Sequence, residues 1–247
     1  MSANKPKSRR FRQKAVPQTI STTNCSERSR RSLNSPHATL TNGAMEDRSF
    51  PSVDSGAVGL SGEQIIVVSG LPRSGTSLMM QMLAAGGIAP VTDRHREADV
   101  DNPRGYFEIE AIKQLKRDSN WLADARGKAV KVVSQLLFDL PATERYRIVF
   151  MERGIEEVLA SQETMLARMG RKAAPRERLR EAFRTHLEKA TAWLERQPNV
   201  ATLRVSYAQL VANPLDESKR VNEFLDGKLD VSSMAEAVDP TLYRNRS

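Results

Sequence analysis

The chain has 247 residues, 28% of them charged, and a formal net charge of +8. Its one cysteine, Cys25, excludes an intramolecular disulfide, and no Cys/His cluster has metal-ligand spacing, so no metal is expected. No apolar run approaches the ~20 residues of a membrane-spanning helix, and no apolar stretch follows the positive N-terminus as a secretory signal requires; a cytoplasmic setting is the expectation.

The charge is unevenly placed. Residues 1–62 hold ten Lys/Arg against four acids, +6 of the total, which leaves +2 for residues 63–247. A nucleic-acid surface on the folded part is therefore not expected. The first 62 residues are rich in Ser, Thr, Asn, Arg and Pro and lack apolar periodicity, the composition of a disordered basic tail. Three readings of that tail stay open: an extension without a specific role, a basic arm touching nucleic acid or anionic membrane, and a chain whose true start is Met45.

From Ile65 onward strands and helices alternate. Ile65-Ile66-Val67-Val68 reads as a fully buried strand between Gly62 and Gly70, and Ser77–Ala85 as a helix. Residues 108–117 predict a second helix, Ala129–Val133 a strand, and Arg147–Met151 another strand. Ile155–Met169 and 176–196 carry apolar residues at helical spacing. Val200–Val205 predicts a fourth strand and 215–225 a last helix, followed by a polar coil. Such alternation predicts an α/β domain over 63–247: three layers, α/β/α, with a mostly parallel central sheet, preceded by the disordered basic tail. Ligands of such sheets sit outside the carboxyl ends of the strands.

The first strand and first helix are joined by Ser69-Gly70-Leu71-Pro72-Arg73-Ser74-Gly75-Thr76-Ser77. Glycines let several backbone N–H groups turn toward one point, and the helix adds its positive end. Arg73 supplies a fixed charge; Thr76 and Ser77 supply hydroxyls. Gly70 and Gly75 match the spacing G-x-x-x-x-G-K-[ST], but Thr76 stands where that motif has lysine. The pattern predicts a phosphate cradle and argues against ordinary nucleoside-triphosphate hydrolysis, although a bare strand–helix turn would also use Gly and Ser.

The segment Leu71–Ser77 resembles the loop by which sulfotransferases bind the 5′-phosphosulfate end of PAPS (3′-phosphoadenosine 5′-phosphosulfate), and the resemblance implies a P-loop NTPase-like fold for the α/β domain. The resemblance implies Gly70, Pro72, Arg73, Ser74, Gly75, Thr76 and Ser77 as donor contacts, with Arg73 at the bridging region. Leu78 stands where cytosolic members often have tryptophan. Arg153 and Ser161, a strand-end arginine and a helical serine eight residues on, match the family's 3′-phosphate pair. Residues 203–214 resemble its strand-plus-"YEDL…P" stretch, which makes Tyr207 the adenine contact, with Ala208 and Gln209 replacing the usual acidic pair. Tyr243–Arg246 resembles the basic segment closing over the 3′-phosphate, with Arg244 as its cation.

For catalysis, the resemblance implies Arg73 and Lys131 near the transferred group. Read as a plain strand residue, Lys131 would instead lead its charge out to solvent. The histidine of cytosolic members has no counterpart here, since Val133 occupies its place. Asp93, His95, Glu97, Glu108 and Glu110 are available as bases, and Glu108 is favoured because the aromatic residues before it would raise a carboxyl's pKa. A simpler role for Glu108 is to complement a helix N-terminus. The implied function is transfer of a sulfonate from PAPS to a hydroxyl or amine of a small-molecule, carbohydrate, lipid or peptide acceptor, without a metal. A nucleotide kinase or NTPase, and a non-catalytic nucleotide-binding protein of the same fold, are the alternatives.

Overall fold

The computed structural model describes residues 64–93 and 105–243. Four parallel strands form the sheet: β1 (Gln64–Gly70), β2 (Ala129–Val133), β3 (Arg145–Glu152) and β4 (Val200–Ser206), in the order β2-β1-β3-β4. β1, β2 and the second half of β3 are made mostly of β-branched and aliphatic residues, as strands buried on both faces require. β4, at the edge opposite β2, mixes half-buried and exposed positions and buries only Val205 fully.

Strand alternation sends neighbouring side chains to opposite faces, and each face has its own core. On one face Ile66, Val68, Val149, Met151 and Val205 pack with Met79, Met80, Met82 and Leu83 of α1 (Thr76–Ala85). That core also takes in α4 (Tyr207–Ala212), α5 (Pro214–Phe224) and α6 (Val231–Glu236). On the other face Ile65, Val67, Val130, Val132, Ile148 and Phe150 meet Leu194 of α3 (Arg176–Arg196) and three 3₁₀ segments. The result is the expected three-layer α/β/α arrangement. α2 (Ile155–Arg168) follows β3 and is clamped to α3, where Glu156 accepts from both Arg176 and Arg180. Those two guanidiniums, Arg180 foremost, hold the Glu156 carboxyl at about 2.

Three expectations are corrected. Residues 108–117 do not form an α-helix: Glu110–Gln114 is a 3₁₀ turn. Its apolar residues Ile109, Ile112 and Leu115 recur every third position, which eclipses them on one side of a 3₁₀ turn and suits the core they join. The chain after Phe224 is not simply a polar coil, because Asp230 caps α6 by accepting from Ser233 N at 3.0 Å, and Met234 is fully buried. The apolar stripe foreseen along all of 176–196 is buried only in its second half, at Ala190 and Leu194. The tail, residues 94–104 and Arg244 lie outside the described residues.

Register sets the working edge. Gly70 pairs with both Val133 and Met151, and Met151 pairs with Val205. All four strands therefore end at one level, and the segments leaving them share one rim.

Candidate active site

At that rim β1 turns through Leu71–Gly75 into α1. Gly75 caps the helix with φ 102°, and a Cβ there would meet the Tyr207 ring at 2.4 Å. Only glycine fits. Gly70 faces a similar limit, since an added Cβ would lie 2.6 Å from the Met151 carbonyl. Arg73 itself takes a left-handed conformation, φ 72°, a choice that costs a non-glycine residue about 1–3 kcal/mol and tends to mark working loops. The first turn of α1 has neither a side-chain cap nor an acidic residue. No acidic side chain of the first turn competes there, which suits the helix's positive end to an anion.

The side chains of the loop sort by depth. Pro72 is exposed, Arg73 and Ser77 are half-buried, and Ser74 and Thr76 are buried. The Ser74 hydroxyl, 1% exposed, has no hydrogen-bond partner among the described residues, and neither has that of Ser69. Unpaired buried hydroxyls are costly, and a phosphate oxygen would satisfy Ser74. A cleft of about 500 Å³ opens beside the loop, lined among others by Leu71, Ser74, Phe150, Arg153, Ile155 and Leu187.

The residues singled out in the sequence converge from four elements. Arg73 Nε donates to Ser161 Oγ at 3.0 Å, which joins the loop to the middle of α2. Arg153, just beyond β3, donates from Nη1 to the Arg73 carbonyl at 3.2 Å, and its guanidinium lies 4.5 Å from the Tyr207 ring centroid. Tyr207, 6% exposed, opens α4 directly after β4.

Lys131 lies on the other side of the loop. Its charge does not escape to solvent: the residue is 8% exposed. Nζ donates to the Tyr106 carbonyl at 2.9 Å and to Ser77 Oγ at 3.1 Å, and stands 3.4 Å from Glu108 Oε1. The two residues proposed for catalysis on separate grounds are thus an ion pair. The setting of Glu108 is not the apolar enclosure expected, because its carboxylate is 41% exposed and faces an ammonium. At the start of the 3₁₀ turn that follows, Asp93 Oδ2 accepts from Glu110 N at 2.6 Å. Asp93 is thereby engaged, and Glu110 pairs with Lys113 at the surface. Phe107, between Tyr106 and Glu108, has φ 52°, a second left-handed residue at this rim. His95 and Glu97 fall outside the described residues.

Two features escaped the sequence reading. Glu157 pairs with Arg153 at 2.8 Å; the i,i+4 spacing was visible, but its burial was not. His186 Nε2 lies 2.8 Å from Ser134 Oγ, just after β2, and burial and Lys189 push its imidazole down. No group of three or more His, Cys, Asp or Glu is placed to hold a metal ion among the described residues.

A family model described as "Sulfotransferase domain" matches residues 63–246. None of the curated proteins matches significantly. Similar solved structures include the sulfotransferase domain from the Synechococcus PCC 7002 olefin synthase, with 16% identity, TM-score 0.48, and coverage of 74% of this chain and 88% of that one. The sulfotransferase domain from the curacin biosynthetic pathway shows 15% identity and TM-score 0.43 over 71% and 78%. A sulfotransferase from Alicyclobacillus acidocaldarius shows 16% identity and TM-score 0.41 over 68% and 84%.

Proposed function

This chain belongs to the sulfotransferase domain family, and from that premise we propose that it moves a sulfonate from PAPS, held on the Gly70–Ser77 loop, to a hydroxyl or amine acceptor. The observation that carries the reading is the position of Lys131. Its ammonium bridges the loop hydroxyl Ser77 and the carboxylate Glu108, which supports a cation and a base beside the phosphate cradle.

PAPS, when bound, supplies an activated sulfonate on a phosphate leaving group. The chain's own residues divide the remaining work. The amides at the start of α1, with Ser74, Thr76 and Ser77, take the 5′-phosphate, and the unpartnered Ser74 hydroxyl supports that fit. Gly70 and Gly75 let the backbone approach, and Pro72 stiffens the loop. Arg73, steadied by Ser161, balances charge as it develops on the bridging oxygen. Lys131 donates to the reacting oxygens, and Glu108 accepts the acceptor's proton. Donors of this kind typically contribute ~10²–10³ in rate, and here they are protein cations rather than a metal. Arg153 and Ser161 hold the 3′-phosphate, Tyr207 flanks the adenosine, and Arg244, next to Tyr243 in sequence, adds a further cation.

The test is thermal unfolding of the full chain with the desulfonated product PAP, beside MgATP. A ligand at a hundred times its dissociation constant adds about 2.7 kcal/mol to stability. A shift with PAP that Arg73→Ala abolishes supports the reading. The follow-up is an acceptor screen over alcohols, carbohydrates, lipids and peptide tyrosines. A shift with MgATP and none with PAP overturns the reading in favour of phosphoryl transfer.

A further inference from the structure

The Arg153 and Glu157 side chains are only 8% and 9% exposed. A guanidinium at that depth must be paired, because an uncompensated buried charge is strongly destabilising. Arg153 Nε donates to Glu157 Oε2 at 2.8 Å. The guanidinium lies in the corner of two aromatic rings, 4.5 Å from the Tyr207 centroid and 5.2 Å from that of Tyr243. Those rings meet edge to face at 5.0 Å. The other carboxylate oxygen, Glu157 Oε1, accepts the Tyr243 hydroxyl at 2.9 Å. One carboxylate thus fixes the arginine with one oxygen and the last described residue with the other.

A carboxylate here looks misplaced for a site that is to hold a phosphate, since its charge opposes the ligand's. Guanidinium geometry removes the conflict. The Nε edge and the Nη edge of the planar fork are separate donor sets: Glu157 is engaged through Nε, and Nη1 is turned to the phosphate loop, where it donates to the Arg73 carbonyl at 3.2 Å. An arginine side chain has rotamer entropy to lose on binding, and a partner that fixes it beforehand removes that cost from the ligand.

We infer that Glu157 is a positioning residue that orients Arg153 toward a nucleotide phosphate ester and, through Tyr243, ties the C-terminal end of the chain to the same guanidinium. The inference rests on the reading of Arg153 as the 3′-phosphate contact. Its consequence is selectivity: the pair sets how strongly a nucleotide bearing a 3′-phosphate is preferred to one without it.

The test is calorimetric titration of the full chain with PAP and with 5′-AMP, read as the ratio of the 5′-AMP dissociation constant to that of PAP. In the wild type PAP binds more tightly, and Arg153→Ala removes the preference. Glu157→Gln lowers the ratio about tenfold, and Tyr243→Phe lowers it by a few-fold, while 5′-AMP affinity stays unchanged in both. A merely structural loss would weaken both ligands together and leave the ratio alone. If Arg153→Ala keeps the preference, the 3′-phosphate reading fails and the inference with it. If Arg153→Ala loses it but Glu157→Gln and Tyr243→Phe keep or raise it, the positioning role alone is overturned. Should Glu157→Gln not fold, Tyr243→Phe decides: a wild-type ratio there overturns the inference.

Discussion

Lys131 and Ser77 are 54 positions apart in sequence, and the lysine's ammonium lies 3.1 Å from the serine hydroxyl. Parallel pairing is what joins them. Gly70 and Val133 share a register position, so Lys131, two residues earlier on β2, reaches over the edge to the first turn of α1. If this ammonium donates to the reacting oxygens, removing its charge must spare binding and slow transfer. Lys131→Met is therefore expected to lower the single-turnover transfer rate by about 10²–10³ while PAP affinity changes by less than about threefold. A parallel loss of PAP affinity would assign the lysine to holding the donor instead.

Glu108 gives a different expectation. Its partner is Lys131, and it is open to solvent on one side, where an acceptor hydroxyl could approach. Glu108→Gln keeps the shape and removes the basic oxygen, so kcat should fall about 10²-fold. The variant should also leave PAP-dependent thermal stabilisation intact. Glu110→Gln, at the surface with Lys113, should do neither, and a comparable loss there would move the base away from Glu108.

Legibility followed the range of the determining interaction. Ile65–Val68 and Ala129–Val133 were readable as strands because burial on both faces selects short runs dominated by β-branched and small apolar residues, with Lys131 the exception. The Gly70–Ser77 loop was readable because its chemistry is local, eight consecutive residues doing one job. The 3₁₀ turn at Glu110–Gln114 was missed because its three-residue period lies close to the helical one over so short a run. α6 was missed because six residues carry too little periodicity, and Asp230 and the contact of Met234 with Gly86 of the α1 cap decide it instead. The Lys131–Glu108 pair was invisible for a different reason: each residue had been noticed, but only the fold brings them together across 23 positions.

Gly75 and Gly87 offer a controlled comparison, because both have φ 102°. A Cβ on Gly75 would meet the Tyr207 ring at 2.4 Å, whereas one on Gly87 has nothing within 4 Å. Gly87→Ala should then cost only the backbone term, about 1–2 kcal/mol. Gly75→Ala adds steric conflict of about 1–3 kcal/mol and displaces the ring proposed to flank the adenosine. Urea unfolding should place Gly75→Ala clearly below Gly87→Ala, and the gap should close in a Tyr207→Ala background. Equal costs in the wild-type background would mean that Tyr207 moves aside freely and does not define the pocket wall.

His186 makes stability depend on pH near neutrality. Its imidazole is half-buried, with Nε2 2.8 Å from Ser134 Oγ and its ring edge to face with Phe138. Burial first, and then the Lys189 charge, lower its pKa from the ordinary 6.5. The sign follows from which state holds the proton. As pH falls through the unfolded-state value, the unfolded chain binds a proton that the folded chain still refuses. The contribution is therefore intact above about pH 6.5 and is lost as pH falls toward the lower folded value. Folding free energy from chemical denaturation should decline between pH 7 and pH 5.5, before the carboxylates begin to titrate. His186→Gln preserves a hydrogen-bonding group toward Ser134 and should flatten that interval, even if it shifts stability at every pH. A wild-type slope retained in the variant would assign the pH dependence to another group, such as His95, and would leave the contact between α3 and the segment after β2 purely structural.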